Sequence, residues 1–278
     1  TEERFEILKQ YTNGGPLMCT EFWVGWFDHW GNGGHMRGNL EESTKDLDKM
    51  LELGHVNIYM FEGGTNFGFM NGSNYYDELT PDVTSYDYDG VLTESGDITE
   101  KYRRYQEVIR KYAPIPEVTY STKIEKKAYG TLQYDARVGL FESLDDLSAP
   151  VKCKFPTSME RLGQNYGYIL YHTKLEKEQN LEKIRLYEAN DRANLFVDQK
   201  PLVTLYDRQL LSEAKAGEDF AKEDGKPVTF KKGAPLDILV ENMGRVNFGP
   251  RASEKRYRRT RTDQRSHSLK LGRVLPAA

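Results

Sequence analysis

Cysteine is scarce. Only Cys19 and Cys153 occur among 278 residues, with no CxxC and no Cys/His ligand spacing, which excludes a disulfide framework and a thiolate zinc site. A reducing, cytoplasmic setting is the expectation that follows. Long apolar runs are missing too: no stretch approaches the roughly 20 residues that a spanning helix needs, and no charged-then-apolar signal opens the chain. The first residue is Thr1 rather than methionine, so the native start is expected upstream. Excess positive charge is also lacking. A formal net charge of -4 gives no global attraction to nucleic acid or to an anionic membrane. Phosphate-cradling GxGxxG and Walker patterns do not occur, so Gly63 and Gly64 are read as allowing a tight backbone path. There is no internal repeat.

The texture of the chain changes at "KYAPIPEV", where Pro114 and Pro116 end a helical pattern. Before it, helix and strand alternate. Glu2 to Gln10 reads as a helix end, "PLMCTEFW" as a short buried strand, and "NLEESTKDLDKMLELG" as a helix. Asn39 is its cap, Glu42 sits in its first turn, Leu40, Leu47, Met50 and Leu51 form its stripe, and Gly54 ends it. "HVNIYMF" is a second strand, followed by a long loop and a helix around "TEKYRRYQEVIRKY". This order is that of parallel βα units. After the boundary come short strand-like runs, "YGTLQYDARVGLFESL", "NYGYILYHTKL", "KIRLYEANDRANLFVDQKPLVTLY", "KPVTFKKG" and "PLDILVEN", which read as an all-β sandwich of jelly-roll type. Three regions are expected: 1–115 α/β, 116–250 all-β, and 251–278 a basic tail. The tail carries nine Lys or Arg from Arg251 to Arg273. It is read as disordered rather than as a nucleic-acid arm, because no aromatic stacking residues or recognition fold accompany the charges.

The chemistry concentrates in "CTEFWVGWFDHWGN". Glu21 lies among Phe22, Trp23, Trp26, Phe27 and Trp30, a run that holds all three tryptophans of the chain. Glu21 could be an edge carboxylate paired with a lysine or arginine. It could also act on a sugar whose apolar face lies on the indoles. Enzymes built on parallel βα units keep their chemistry at the C-terminal edge, where this strand ends. Asp28 and His29 are too few for a metal site and are read as shaping the loop.

"MCTEFWVGWFDHWG", "YMFEGGTNFGFMNGSN" and "TSYDYDGVLTESGDITEKY" together resemble the second half of the catalytic barrel of glycoside hydrolase family 35, the β-galactosidase family, while "RLGQNYGYILYHT" and "LDILVENMGRVNFGPR" resemble its following β-domain in bacterial members. The resemblance implies a partial (β/α)8 barrel, holding the last two strands and helices, followed by a jelly-roll-like β-sandwich. It implies retaining hydrolysis of terminal non-reducing β-D-galactosyl residues without metal or organic cofactor. Carried over by position, Glu21 is the nucleophile, Trp26 a wall of the galactose pocket, and Tyr59 and Tyr88 further lining residues. Glu62 stands where many bacterial relatives have histidine. The family's acid/base glutamate, in an Asn-Glu-Tyr-Gly motif on strand four, has no counterpart here. "QNYG" at Gln164 to Gly167 differs in chemistry and place, and Asp87 and Asp89, which follow the nucleophile in a loop, are not read as substitutes. A whole barrel takes about 250 residues, yet twenty precede Glu21. The chain is therefore expected to be a fragment, inactive alone, with the rest supplied by an upstream polypeptide or an oligomeric partner, or lost through a disrupted gene. The alternative is a non-catalytic carbohydrate-binding or accessory β-sandwich protein.

Overall fold

The first helix, α1 (Glu2–Thr12), leads through the Gly14–Gly15 turn into β1 (Met18–Trp23). The next helix, α2 (Leu40–Leu53), is closed at both ends by the residues its sequence marks. Asn39 Oδ1 accepts from the backbone N–H groups of Glu41 and Glu42 at 3.1 and 3.2 Å, satisfying donors that the first turn leaves unpaired. Gly54 ends the helix in extended rather than left-handed backbone, its N–H donating to Met50 O. A side chain there would lie 2.5 Å from Leu17 O. The strand β2 (His55–Tyr59) follows at once and pairs parallel to β1, so β1, α2 and β2 form one βαβ unit. The helix α3 (Glu100–Ile109) is capped by Thr99. Leu47 of α2 and Tyr105 and Val108 of α3 pack with Phe22, Val24, Phe27, Tyr88 and Val91 in one buried cluster.

The structure is a computed structural model that describes residues 2–117, 125–187, 189–215, 219–220, 228–249 and 273–276. The chain divides into two units, Thr1–Gly68 with Asp82–Leu132, and Phe69–Pro81 with Gln133–Ala278. In the second unit, β3 (Gly72–Tyr75) and β4 (Leu79–Pro81) come from the long loop of the first half. The following strands are β5 (Gly167–Lys174), β6 (Gln179–Leu181), β7 (Lys183–Ile184), β8 (Arg192–Val197), β9 (Lys200–Tyr206), β10 (Ala214–Lys215), β11 (Val228–Phe230), β12 (Pro235–Asn242), β13 (Arg245–Phe248) and β14 (Arg273–Pro276). The main sheet is antiparallel with order β14-β5-β12-β8-β9. Smaller pairs, β10-β7 and β11-β6, and a triplet β13-β3-β4 complete the unit. Register lines up Ile169, Val240 and Ala193 in one cross-strand row and Tyr171, Ile238, Leu195 and Val203 in the next. These rows supply the core, with Met159, Leu186 and Phe220 packed on them. Period-two alternation in β5, β8 and β12 thus buries one face.

The fold class is mixed, α/β in the first unit and a β-sandwich in the second. Among the described residues β1 and β2 stand as a two-stranded parallel sheet, and no closed barrel forms. Two expectations are corrected. "YGTLQYDARVGLFESL" is not a strand: Tyr129, Leu132, Tyr134 and Val138 are all more than two-thirds exposed, and among the described residues the alternation has no partner strand to pair with. Of the tail expected to be disordered, Arg273–Pro276 form β14 on the edge of β5, where backbone groups need a partner. The rest of the tail lies outside the described residues.

Ile169 is fully buried in the sheet core. Its replacement by alanine should cost about 2–5 kcal/mol in urea unfolding of the chain, while Lys174→Ala at the exposed end of the same strand should stay within about 0.5 kcal/mol.

Candidate active site

Glu21 sits near the C-terminal end of β1 with its side chain exposed. The register of β1 on β2 slips between Cys19 and Phe22: Cys19 pairs with Val56, Phe22 with Ile58 and Trp23 with Tyr59. One extra residue is therefore carried on β1, a bulge of the kind that re-aims side chains. Asn57 Nδ2 holds the bulge by donating to Thr20 O at 2.9 Å. Beyond it Phe22 turns into the core, and Glu21 and Trp23 share the opposite face, where Trp23 Nε1 donates to Glu21 Oε2 at 3.1 Å.

From Trp23 the rings run on in contact. Trp26, half-buried, meets Trp23 edge-on at 5.4 Å and Tyr88 at 6.3 Å. Tyr88 in turn meets Tyr59 edge-on at 5.4 Å. All four residues expected from the sequence, Glu21, Trp26, Tyr59 and Tyr88, thus fall in one neighbourhood. Tyr88 is 2% exposed. Its hydroxyl is pushed above the ordinary tyrosine range by burial first, then by Tyr59 and the Glu21 charge. Tyr86, which the sequence reading passed over, stacks on Phe27 at 6.4 Å. Its hydroxyl is raised by burial and by a hydrogen bond with Tyr59. A SYDYD pair with period-two spacing is the signal that could have found it. The indole N–H of Trp23 carried the same signal, since Glu21 and Trp23 stand two apart on one strand and so share a face.

The tyrosine loop is held by close backbone approach and by charge. A side chain at Gly25 would lie 1.9 Å from Tyr88 O, and one at Gly63 would lie 1.7 Å from Tyr86 O. Both glycines are therefore fixed by contact, and Gly64 follows with φ +81. Tyr88 and Asp89 take left-handed backbone, φ +59 and +51, which non-glycine residues adopt only under constraint. The constraint is Lys101, 6% exposed. Its Nζ donates to Val24 O at 2.7 Å and Asp89 Oδ2 at 2.8 Å, and also to the Asp89 carbonyl. Arg37 Nη1 donates to Asp87 and Asp89 at 2.9 Å each, and Gly38 N–H to Asp89 at 3.0 Å. Burial would raise the Asp89 carboxyl, but these donors together hold it below the usual carboxylate range. Asp89 is thus an ionised structural acid and no proton donor. The Arg37 guanidinium is raised by its bond to Asp89.

Asp28 is buried and accepts from Met36 N–H and pairs with His35 Nδ1, both at 2.6 Å. It shapes the loop as expected from its sequence position. Among the described residues no group of three or more His, Cys, Asp or Glu stands ready for a metal. Glu62 is exposed. A cavity of 310 Å³ is lined by Trp23, Trp26, Arg37 and the first turns of α2 among others, and Glu21 is not part of its lining.

A carboxylate at the end of a parallel strand, flanked by an indole donor and a run of aromatic rings, supplies one of the two carboxyl groups and the apolar ring faces that sugar hydrolysis uses. Residues 1–112 match the family model of glycosyl hydrolases family 35, and residues 156–258 match that of the β-galactosidase first all-β domain. The chain is similar to β-galactosidase of Bos taurus, 36% identical over 88% of this chain and 36% of the relative. It is also similar to β-galactosidase of Mus musculus, 38% identical over 89% and 37%. For β-galactosidase of Xanthomonas manihotis the identity is 33%, over 91% and 40%. The chain therefore spans little more than a third of the length of the curated relatives it matches.

Two outcomes follow from this geometry. Gly63→Ala should destabilise the first unit by about 1–3 kcal/mol or more, read as earlier loss of near-ultraviolet aromatic signal in urea. Because Asp89 titrates below its unfolded value, its contribution is full above the ordinary carboxylate range and fades as pH falls through the lowered one. Asp89→Asn should cost about 3–5 kcal/mol at pH 7 and flatten the loss of stability between about pH 5 and 3, measured by urea midpoints across pH.

Proposed function

We propose that this chain carries the nucleophile half of a retaining β-galactosidase, acting on terminal non-reducing β-D-galactosyl residues. The observation that carries the reading is the exposed Glu21 carboxylate, held by the Trp23 N–H at the head of the Trp26, Tyr88 and Tyr59 rings. The names of the relatives support the substrate. Glu21 Oε1, left free by the indole bond to Oε2, attacks the anomeric carbon and forms a glycosyl ester as the bond to the leaving oxygen breaks. Trp26 offers an apolar ring face for the sugar. Tyr59 and Tyr88 line the pocket, with Tyr86 setting the Tyr59 hydroxyl.

A second carboxyl, about 5 Å from the first, must protonate the leaving oxygen and then activate water. We place it outside these 278 residues, on the remaining two-thirds of a protein of the relatives' length or on a partner chain. The βαβ unit of β1, α2 and β2 fits the last two strands of a (β/α)8 barrel, and the main antiparallel sheet fits a jelly-roll-like sandwich. A boundary near residue 115 is supported by family matches that end at 112 and resume at 156, and the second match runs on to 258, past the expected start of the tail at 251. Among the described residues no helix is long and apolar enough to cross a membrane. The free thiols Cys19 and Cys153 support a cytoplasmic setting.

The test uses a galactoside that needs no proton donor, 2,4-dinitrophenyl 2-deoxy-2-fluoro-β-galactoside. Mass spectrometry of the treated chain should find one fluorogalactosyl adduct, on Glu21, absent from Glu21→Gln. Trp23→Phe should keep the adduct but form it about tenfold more slowly, consistent with loss of roughly 1.4 kcal/mol of hydrogen bonding. No adduct in the wild-type chain, or an adduct that survives Glu21→Gln, would overturn the reading.

A further inference from the structure

The second unit holds a cavity of 340 Å³ remote in sequence from the sugar-hydrolase motifs, lined by Lys154, Phe155, Ser158 and Arg161 among others. Ser158 is 0% exposed, and its Oγ has no hydrogen-bond partner among the described residues. A buried hydroxyl in that state is rare, because folding strips it of water and gives nothing back. Thr157, the neighbouring hydroxyl, is committed to Phe155 O at 3.3 Å. The wall is firmly seated. Thr157 O accepts from the Tyr171 hydroxyl at 2.9 Å, and Met159 is buried in the sheet core.

Charge on the cavity is one-sided. Lys154 and Arg161 enter no ion pair among the described residues, and no carboxylate lines the space. The carboxylate nearest in sequence, Glu160, pairs with Arg245 at 2.7 Å. A water molecule could satisfy Ser158 but would use neither of the two exposed cations. A tetrahedral oxyanion can take the serine O–H, the guanidinium fork and the ammonium on separate oxygens. We propose that this cavity binds a phosphate or sulfate group, either free or as the ester of a sugar whose ring would rest on the exposed Phe155. This site is independent of Glu21 and stands or falls separately from the proposed activity.

Thermal unfolding of the full chain, at ionic strength held constant with sodium chloride, tests it with inorganic phosphate, inorganic sulfate, galactose 6-phosphate and galactose as probes. A millimolar oxyanion should raise the midpoint by roughly 2–4 °C, while neutral galactose should not give the same rise. Ser158→Ala should be as stable as wild type or more so without anion, since it deletes an unsatisfied polar group, and should lose most of the rise. Arg161→Gln, at an exposed position, should lose it as well. A larger rise with galactose 6-phosphate than with phosphate identifies an ester as the source, and an equal rise identifies the free anion. No rise with any oxyanion, or an equal rise in both variants and wild type, would overturn the proposal.

Discussion

The ammonium of Lys101 is the point on which the first unit turns. It is buried, and burying a charge costs several kcal/mol unless partners surround it. Here the partners belong to two separate loops, Val24 O after β1 and the carboxylate and carbonyl of Asp89 after the tyrosines. Satisfying one cation therefore fixes the ends of two chain segments against each other. Arg37 adds a second cation on the outer side of the same carboxylate and brings in Asp87. With two cations facing two carboxylates, the left-handed backbone of Tyr88 and Asp89 has something to hold it. Tyr88 then lies where its ring touches both Trp26 and Tyr59.

The second unit rests on a different economy, that of cross-strand rows. Its inner face is aliphatic and aromatic, but its outer face carries paired polar groups. The Tyr168 hydroxyl donates to Glu241 at 2.9 Å, Arg192 bonds the same carboxylate at 3.0 Å, and His172 Nδ1 meets the buried Asp237 at 2.6 Å. Burial raises the Asp237 carboxyl, and His172 works against that rise. Each outward charge on the central strand β12 thus has a partner on a neighbouring strand, which lets the sheet keep polar residues on a largely covered face.

Much of this was legible in the sequence, and the parts that were not share a cause. The helix α2 could be read residue by residue, because Asn39, the Leu47 stripe and Gly54 act locally. β5, β8, β9 and β12 could be read from alternation. Glu21 stood out because a carboxylate among indoles is unusual, and the motif resemblance supplied Trp26, Tyr59 and Tyr88. What failed depends on distant partners. Residues 129–144 alternate like a strand but find nothing to pair with among the described residues, while Gly72–Tyr75 and Leu79–Pro81, polar and turn-rich, become strands because β13 pairs with the first and the first pairs with the second. The tight turn between β8 and β9 uses Asp198 and Gln199, both at positive φ, rather than the Asn-Gly or Asp-Gly that announces such a turn. Lys101 looked like any helix-surface lysine. Only the fold brings Val24 and Asp89 to it.

The bulge on β1 makes the position of Glu21 a matter of counting. Were Thr20 deleted, the ladder would run without a break, Glu21 opposite Asn57 while Phe22 and Trp23 kept Ile58 and Tyr59, and the extra peptide that Asn57 holds would be gone. Side-chain changes in this strand alter chemistry by degrees, whereas loss of the extra residue would take away the bulge that re-aims Glu21. The single amide of Asn57, bonded to the carbonyl of Thr20, is what holds that aim.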